Sequence, residues 1–238
     1  MARKPRIQVA GGFFHITMRG NNRETIYFTD DDRQMFLMTL ATVRSRFRWR
    51  VHAFCLLRNH YHLLVETREA NLAVGMQVLN SSYSHITNQT HGRVGHLFQR
   101  RYGSQLLADE DHLMEVIRYI PLNPVRAKLC HRAEDWAWSS YPAMLGVVPT
   151  PRFLTVDWTL RRFAGRGGAR GLRSWVESGT AEQPHEQAQQ PLDVLLPPGR
   201  LASRDLITEA IAVHGHSRRS VARHLRVDLA TVLRKLSA

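Results

Sequence analysis

Asn59-His60-Tyr61-His62-Leu63-Leu64-Val65-Glu66-Thr67 is the stretch from which the rest of this chain can be read. It alternates. His60, His62, Leu64 and Glu66 fall on one side of an extended strand and Tyr61, Leu63 and Val65 on the other, because strand side chains point to the two faces in turn. The second set can enter a core while two imidazoles project together from the first. Two His at i and i+2 on a strand aim two neutral nitrogens at one metal ion. A bare His-x-His strand is more often a half-buried strand with two surface imidazoles, so the remainder of the chain has to decide.

Immediately before this stretch, Trp49 to Leu57 has the pattern of another strand. Arg58 and Asn59 are a tight connection, which predicts a hairpin. Further upstream, Gly12 to Gly20 is the first strand, with Phe14, Ile16 and Met18 alternating with Phe13, His15, Thr17 and Arg19. Gly20-Asn21-Asn22-Arg23 reads as a turn. The acids Asp30 to Asp32 open a helix whose apolar stripe is Phe36, Leu37, Leu40, Val43 and Phe47.

Downstream, Asn71 to Asn88 is a second helix, with Leu72, Met76, Leu79, Tyr83 and Ile86 at helical spacing. A basic loop, His91 to Arg101, leads to a short strand over Tyr102 to Leu107. A third helix starts at Asp109. Leu113, Val116, Ile117 and Ile120 face inward, and His112, Glu115 and Tyr119 lie on a different face. Pro121 is expected to end or kink this helix, because it lacks an amide donor and disfavours the helical region for Ile120. Asn123-Pro124 would then cap and begin another short helix, to about Leu129. Trp136, Trp138 and Tyr141 read as packing residues.

Composition sets the partner class. Lys and Arg number 33 against 20 Asp and Glu, a formal net charge of +13. Most of the cations are Arg, the forked donor that suits phosphates. A chain this basic usually meets a polyanion, nucleic acid first. No long apolar run or basic amphipathic anchor argues for a membrane partner. Cys55 and Cys130 lack motif spacing and read as reduced thiols of a cytoplasmic protein. The start, Met1-Ala-Arg-Lys-Pro-Arg-Ile, lacks the apolar core of a signal peptide.

Val176 to Gly199 holds four acids and no Lys or Arg, amid Gln, Pro, Gly and Ala. That composition predicts a flexible acidic linker over 176–199 between a domain of residues 1–175 and a small one of residues 200–238. In the latter, Leu201 to Val213, Ser217 to Leu225 and Leu229 to Leu236 read as helices. Val221, Ala222, Leu225, Val227, Val232 and Leu236 have the spacing of a helix-turn-helix core. This segment carries eight Lys and Arg against three acids. Thr231, Arg234 and Lys235 would then lie near a DNA groove. The bland alternative is a small helical bundle that only packs or dimerises.

Four blocks occur in order: Phe14-His15-Ile16-Thr17-x-Arg19-Gly20-Asn21; Asn59 to Val65; Arg118-Tyr119-Ile120-x-Leu122-Asn123-Pro124-Val125-Arg126-Ala127; and Trp138-Ser139-Ser140-Tyr141. With them the chain resembles the REP-associated tyrosine transposases, within the single-tyrosine HUH transposases, over about residues 7–146. The resemblance implies an α+β fold, a central antiparallel sheet with packed helices, ferredoxin-like in outline, to which the helical spacing of residues 200–238 adds the small all-α helix-turn-helix. It implies a metal-dependent nuclease that cuts and rejoins single-stranded DNA at hairpins of repetitive extragenic palindromes. His60 and His62 would hold a divalent cation, Mg²⁺ or Mn²⁺. Tyr119 would attack phosphorus and form a 5′-phosphotyrosine link, splitting one hard displacement into two easier ones. A phenol titrates near ~10, so it needs activation.

In related transposases the third metal ligand is an amide or acid four residues after the tyrosine. Asn123 has that spacing, and its other reading is the cap before Pro124. Arg58 stands where relatives often carry proline. Arg19, Asn21, Arg23, Arg58, Arg100, Arg101 and Arg126 are the candidate DNA contacts of the first domain, each of which alone would be an ordinary surface group. Phe98 and Tyr102 could stack unpaired bases or simply pack in the core. The C-terminal domain could add duplex affinity. REP-associated members are taken as monomers, so a monomer is expected over a homodimer. The rival function is a catalytically silent DNA-binding regulator that keeps the nuclease fold.

Overall fold

The structure is a computed structural model that describes residues 8–107 and 109–179, together with residues 207, 221, 222, 225, 227 and 230–232. It divides into two compact units, Met1–Glu182 and Gln183–Ala238.

The first unit runs β1 (Phe13–Arg19), α1 (Asp30–Arg46), β2 (Arg50–Leu56), β3 (His60–Glu66), α2 (Leu72–Thr90), β4 (Gly103–Leu107) and α3 (Glu110–Arg126). Three short helices follow, α4 (Tyr141–Met144), α5 (Asp157–Arg161) and α6 (Ala169–Glu177). The four strands lie in the order β2-β3-β1-β4 and every pair is antiparallel. This is the expected α+β fold with the strand order of a ferredoxin-like sheet.

One face of the sheet is an apolar core. Phe14, Ile16 and Met18 of β1 and Tyr61, Leu63 and Val65 of β3 are all buried. They meet α1 and α2 through rings: Phe36 lies 4.7 Å from Tyr61 and 5.2 Å from Tyr83. Local chemistry fixes where these helices begin. Thr29 and Asp32 form a reciprocal capping box, with the Thr29 amide donating to Asp32 Oδ2 at 2.8 Å and three acids filling the first turn of α1. Asn71, before α2, accepts from Trp49 Nε1 at 2.8 Å and donates to the Phe47 carbonyl. Gly75 then lets Trp49 lie flat against α2, where any Cβ would collide with the indole.

β2 is an edge strand, and the chain closes it. Leu56 donates to the Trp138 carbonyl, Ser140 to that of Phe54, and Thr155 to that of Val51. Trp136 Nε1 donates to the Leu56 carbonyl at 3.0 Å. The Trp-Ser-Ser-Tyr segment thus satisfies backbone groups that an open edge would leave exposed.

The opposite face of the sheet receives α3, and here an expectation needs correcting. Pro121 does not end the helix, and Asn123-Pro124 does not start another. α3 is one helix through both prolines. A fixed proline φ is compatible with helix; what proline removes is a donor. The Pro124 ring leaves the Ile120 carbonyl without its amide partner, and Asn123 Nδ2 turns back towards it at 3.4 Å while donating to the Tyr119 carbonyl at 2.9 Å. Burial of Leu113, Val116, Ile117 and Ile120 holds the helix on the sheet despite the lost bonds. Tyr119 and Asn123 therefore sit one turn apart on a continuous element.

In the second unit, Val221, Ala222 and 230–232 are helical, and Ile207, Val221, Ala222 and Val232 are buried. Most of the expected helix-turn-helix, including Arg234, Lys235 and Leu236, lies outside the described residues. Val176 and Glu177, assigned from composition to the linker, are the last turn of α6, and Val176 is buried. Most of the linker also lies outside them.

Candidate active site

The site is assembled by strand register. β1 and β3 pair so that Thr17 faces His62 and Arg19 faces His60. Directly opposed residues share a face, so His15, Thr17 and Arg19 stand beside the imidazole pair. His15 Nε2 lies 3.1 Å from His62 Nδ1, close enough to share one hydrogen. His60 and His62 are 5.2 Å apart, centroid to centroid. α3 crosses this face and lays Tyr119 edge-on against His62 at 5.4 Å and against His15 at 5.7 Å. Arg126, two turns further along α3, places its guanidinium carbon 5.0 Å from the centre of the Tyr119 ring. Three elements distant in sequence thus converge on one cluster.

The imidazoles are held neutral. Burial, and then repulsion from His112, push His15 down to about 4. Burial, and then Arg19, push His60 down to about 4 as well. His62 falls well below the ordinary range through burial, then His15, His60, Arg19 and Arg126. A neutral imidazole keeps a lone pair for a metal or a donor. At His60 the tautomer follows from its neighbour. Asn59 Nδ2 donates to the Arg23 carbonyl at 2.7 Å, which turns its Oδ1 to accept from His60 Nδ1 at 2.7 Å. The lone pair of His60 is left on Nε2. At His62, Nε2 is buried and has no partner among the described residues.

This donor set fits a divalent cation. A buried, partnerless Nε2 beside a second imidazole of fixed tautomer is the arrangement a metal-binding His pair requires. Among the described residues no three His, Cys, Asp or Glu side chains lie close enough to hold an ion, so the two imidazoles need a different third donor. Asn123 is buried, and its amide nitrogen is spent on its own helix, which leaves Oδ1 as the uncommitted end. Two nitrogens and an amide oxygen suit several divalent ions. His112 is also buried with Nε2 unpartnered, while Glu115 is half-buried on the same face of α3.

The family model of the IS200-like transposases matches residues 8–123, from the start of the described chain to Asn123. Over those residues, just under half of its length, the chain is similar to that family. A protein of Haemophilus influenzae curated as "Putative REP-associated tyrosine transposase" is 25% identical over 142 residues, covering 55% of this chain and 80% of the relative. A solved structure of a REP-associated tyrosine transposase bound to a REP hairpin superposes with a TM-score of 0.54 and 19% identity, over 66% of this chain and 91% of the other. That superposition establishes a shared fold.

The first unit gathers some of the candidate DNA contacts and leaves others apart. Gly20 donates to the Asn59 carbonyl, Asn21 to that of Leu97, Ile26 to that of Arg58 and Gln99 to that of Arg19. These bonds tie the end of β1, the Asn21–Arg23 turn, the β2–β3 hairpin and the 97–99 segment into one rim beside His60. Arg19, Arg23, Arg58, Arg100 and Arg101 are exposed there or next to it, and Asn21 is half-buried. Phe98 packs on the core, 6.3 Å from Tyr61 and from Tyr83, and Tyr102 is buried, so packing is what both do. Arg126 is the one beside Tyr119. Thr231 is half-buried in the second unit. Sequence reading assigned no role to His15 or Asn59, the two side chains that contact the ring nitrogens of the pair.

Proposed function

We propose that this transposase is a metal-dependent endonuclease and strand transferase that acts on single-stranded DNA at a REP-type hairpin through a 5′-phosphotyrosine on Tyr119. The observation that carries the reading is the edge contact of Tyr119 with His62 and His15, a tyrosine ring beside two neutral imidazoles. His60 and His62 hold the cation, Mg²⁺ or Mn²⁺, with Asn123 as third ligand. When bound, the cation withdraws charge from the oxygens of the scissile phosphate. The Tyr119 oxygen forms a bond to phosphorus and gives up its proton. The bond from phosphorus to the 3′ oxygen breaks, and that oxygen takes up a proton to leave as a 3′-hydroxyl. The phosphodiester energy stays in the protein–DNA link, so a 3′-hydroxyl can later reverse the step. Arg126 puts a guanidinium beside the nucleophile, where it can pair with the incoming phosphate. Arg19, Asn21, Arg23, Arg58, Arg100 and Arg101 grip the backbone, and the REP-type substrate follows from the relatives. Residues 200–238 act as a helix-turn-helix that adds duplex affinity through Thr231, Arg234 and Lys235.

The test is incubation with end-labelled hairpin DNA and Mn²⁺, read on a denaturing gel. A covalent adduct is expected, lost in Tyr119→Phe and without a divalent ion. Tight binding with no adduct under any metal would instead make the chain a silent DNA-binding protein.

A further inference from the structure

α6 and the turn before it enclose a groove of about 430 Å³, lined by Arg166, Gly167, Arg170, Gly171, Ser174, Trp175 and Ser178. It lies beyond the family match, which ends at residue 123. Three arginine side chains lie against three glycines in this region, Arg166 and Arg170 exposed and Arg118 half-buried. The Arg170 guanidinium passes over Gly167, where a Cβ would lie 3.4 Å from its Nε. Arg166 closes against Gly171, where a Cβ would stand 2.7 Å from the Arg166 Cβ. Arg118, on α3, runs across Gly179 so tightly that any Cβ there would collide with its Cδ, and its guanidinium carbon sits 4.6 Å over the Trp175 ring. Trp175 is tied to α3 in turn, donating from Nε1 to the Met114 carbonyl.

The charges here are uncompensated, unlike those around them. Arg162 pairs with Glu110 at 2.7 Å, and Arg173 and Arg132 both pair with Glu134. Glu177, two turns after Arg170 on α6, makes no ion pair with it. Among the described residues no carboxylate pairs with Arg118, Arg166 or Arg170. Two arginines lining one groove, Arg166 and Arg170, with Ser174 in the same lining and no ion pair to either among the described residues, suit a phosphate ester. The neighbouring position says which one. Trp175 of the groove stacks under Arg118, the neighbour of Tyr119 on α3, so the groove is joined to the helix that carries Tyr119.

We propose that the α6 groove is a second backbone site, binding a phosphodiester of the single-stranded arm that extends from the cleavage point. This rests on the function proposed above and adds a determinant of how long a strand the protein engages. The charge of the phosphate, more than base identity, is read there, so the contribution depends on arm length and salt and little on sequence.

The experiment uses the full chain and its Arg166→Ala/Arg170→Ala variant, with circular dichroism to confirm folding. Fluorescence anisotropy measures affinity for one hairpin with its single-stranded arm either long or trimmed back. The wild type is expected to bind the long arm about tenfold tighter than the trimmed one, and the variant to lose that difference. The salt slope for the long arm should fall by about 1.4 for two lost single-strand contacts. Adduct formation on the trimmed hairpin should be the same in both proteins, and a wild type that forms none fails at the function itself. Equal adduct with no arm-length effect in the wild type would overturn the groove alone. Arginine-dependent binding of inorganic phosphate without an arm-length effect would also overturn it, and would make the groove a site for a free phosphoanion.

Discussion

A buried imidazole nitrogen with no partner costs about 1–3 kcal/mol, and His62 Nε2 is such a nitrogen beside a candidate nucleophile. His15 gives that ring its orientation through the 3.1 Å contact with Nδ1. If His62 binds a cation through Nε2, its proton sits on Nδ1 and His15 accepts it. His15→Phe keeps a ring in place and removes the acceptor. Mn²⁺ affinity, followed by titration calorimetry, is expected to fall about 10–100-fold, the usual effect of losing a partner behind a metal ligand. An unchanged affinity in a folded variant would show that His15 only packs. The His60 and His62 pair was legible because period two is a local signal, and Tyr119 because it leaves the apolar stripe of its helix. His15 was not, although it sits in a quoted block. Its role depends on which strand lies beside β3 and in what register, and that is decided by contacts far apart in the chain.

The helices carry their own tests. Asp32 closes the capping box of α1 and also accepts from His91 Nε2 at 2.8 Å. Burial alone would raise its carboxyl, but the His91 bond and the Thr29 and Phe28 amides outweigh that and hold it below the ordinary value. A folded-state value below the unfolded one gives stability that is fully present above pH ~4 and lost as pH falls through the folded value. Urea unfolding between pH 5 and 3 should therefore weaken more steeply in the wild type than in Asp32→Asn, and equal slopes would discount the network. Gly75→Ala should be destabilising by about 1–3 kcal/mol, because the Trp49 indole has to move to admit a methyl group. Thermal unfolding reads it directly. Strands and the first helices followed from periodicity and capping residues. Pro121 misled because proline's local penalty is legible in sequence and the burial that outweighs it is not. α5 and α6 were missed because they are short and lean on α3 for their burial, so little of their own pattern marks them.

At the scale of the molecule, charge and composition spoke early: +13 over the chain, interrupted by a stretch of four acids without Lys or Arg. Such a segment is invisible to trypsin and open to a protease specific for Glu. Cleavage is expected at Glu182 or Glu186, leaving the first unit folded, as mass spectrometry with circular dichroism would report; unfolding on cleavage would contradict a separable domain. The proposed second domain rests on this composition and on helical spacing, which identify a module more readily than they identify what it touches. α3 follows β4 in the chain and is the last of the three elements that meet at the His cluster. The ribosome releases both imidazoles well before Tyr119, whose ring reaches them only when α3 covers that face of the sheet. Nascent chains stopped short of α3 would carry both imidazoles without Tyr119 or Asn123, so the cluster is complete only once synthesis has passed residue 123.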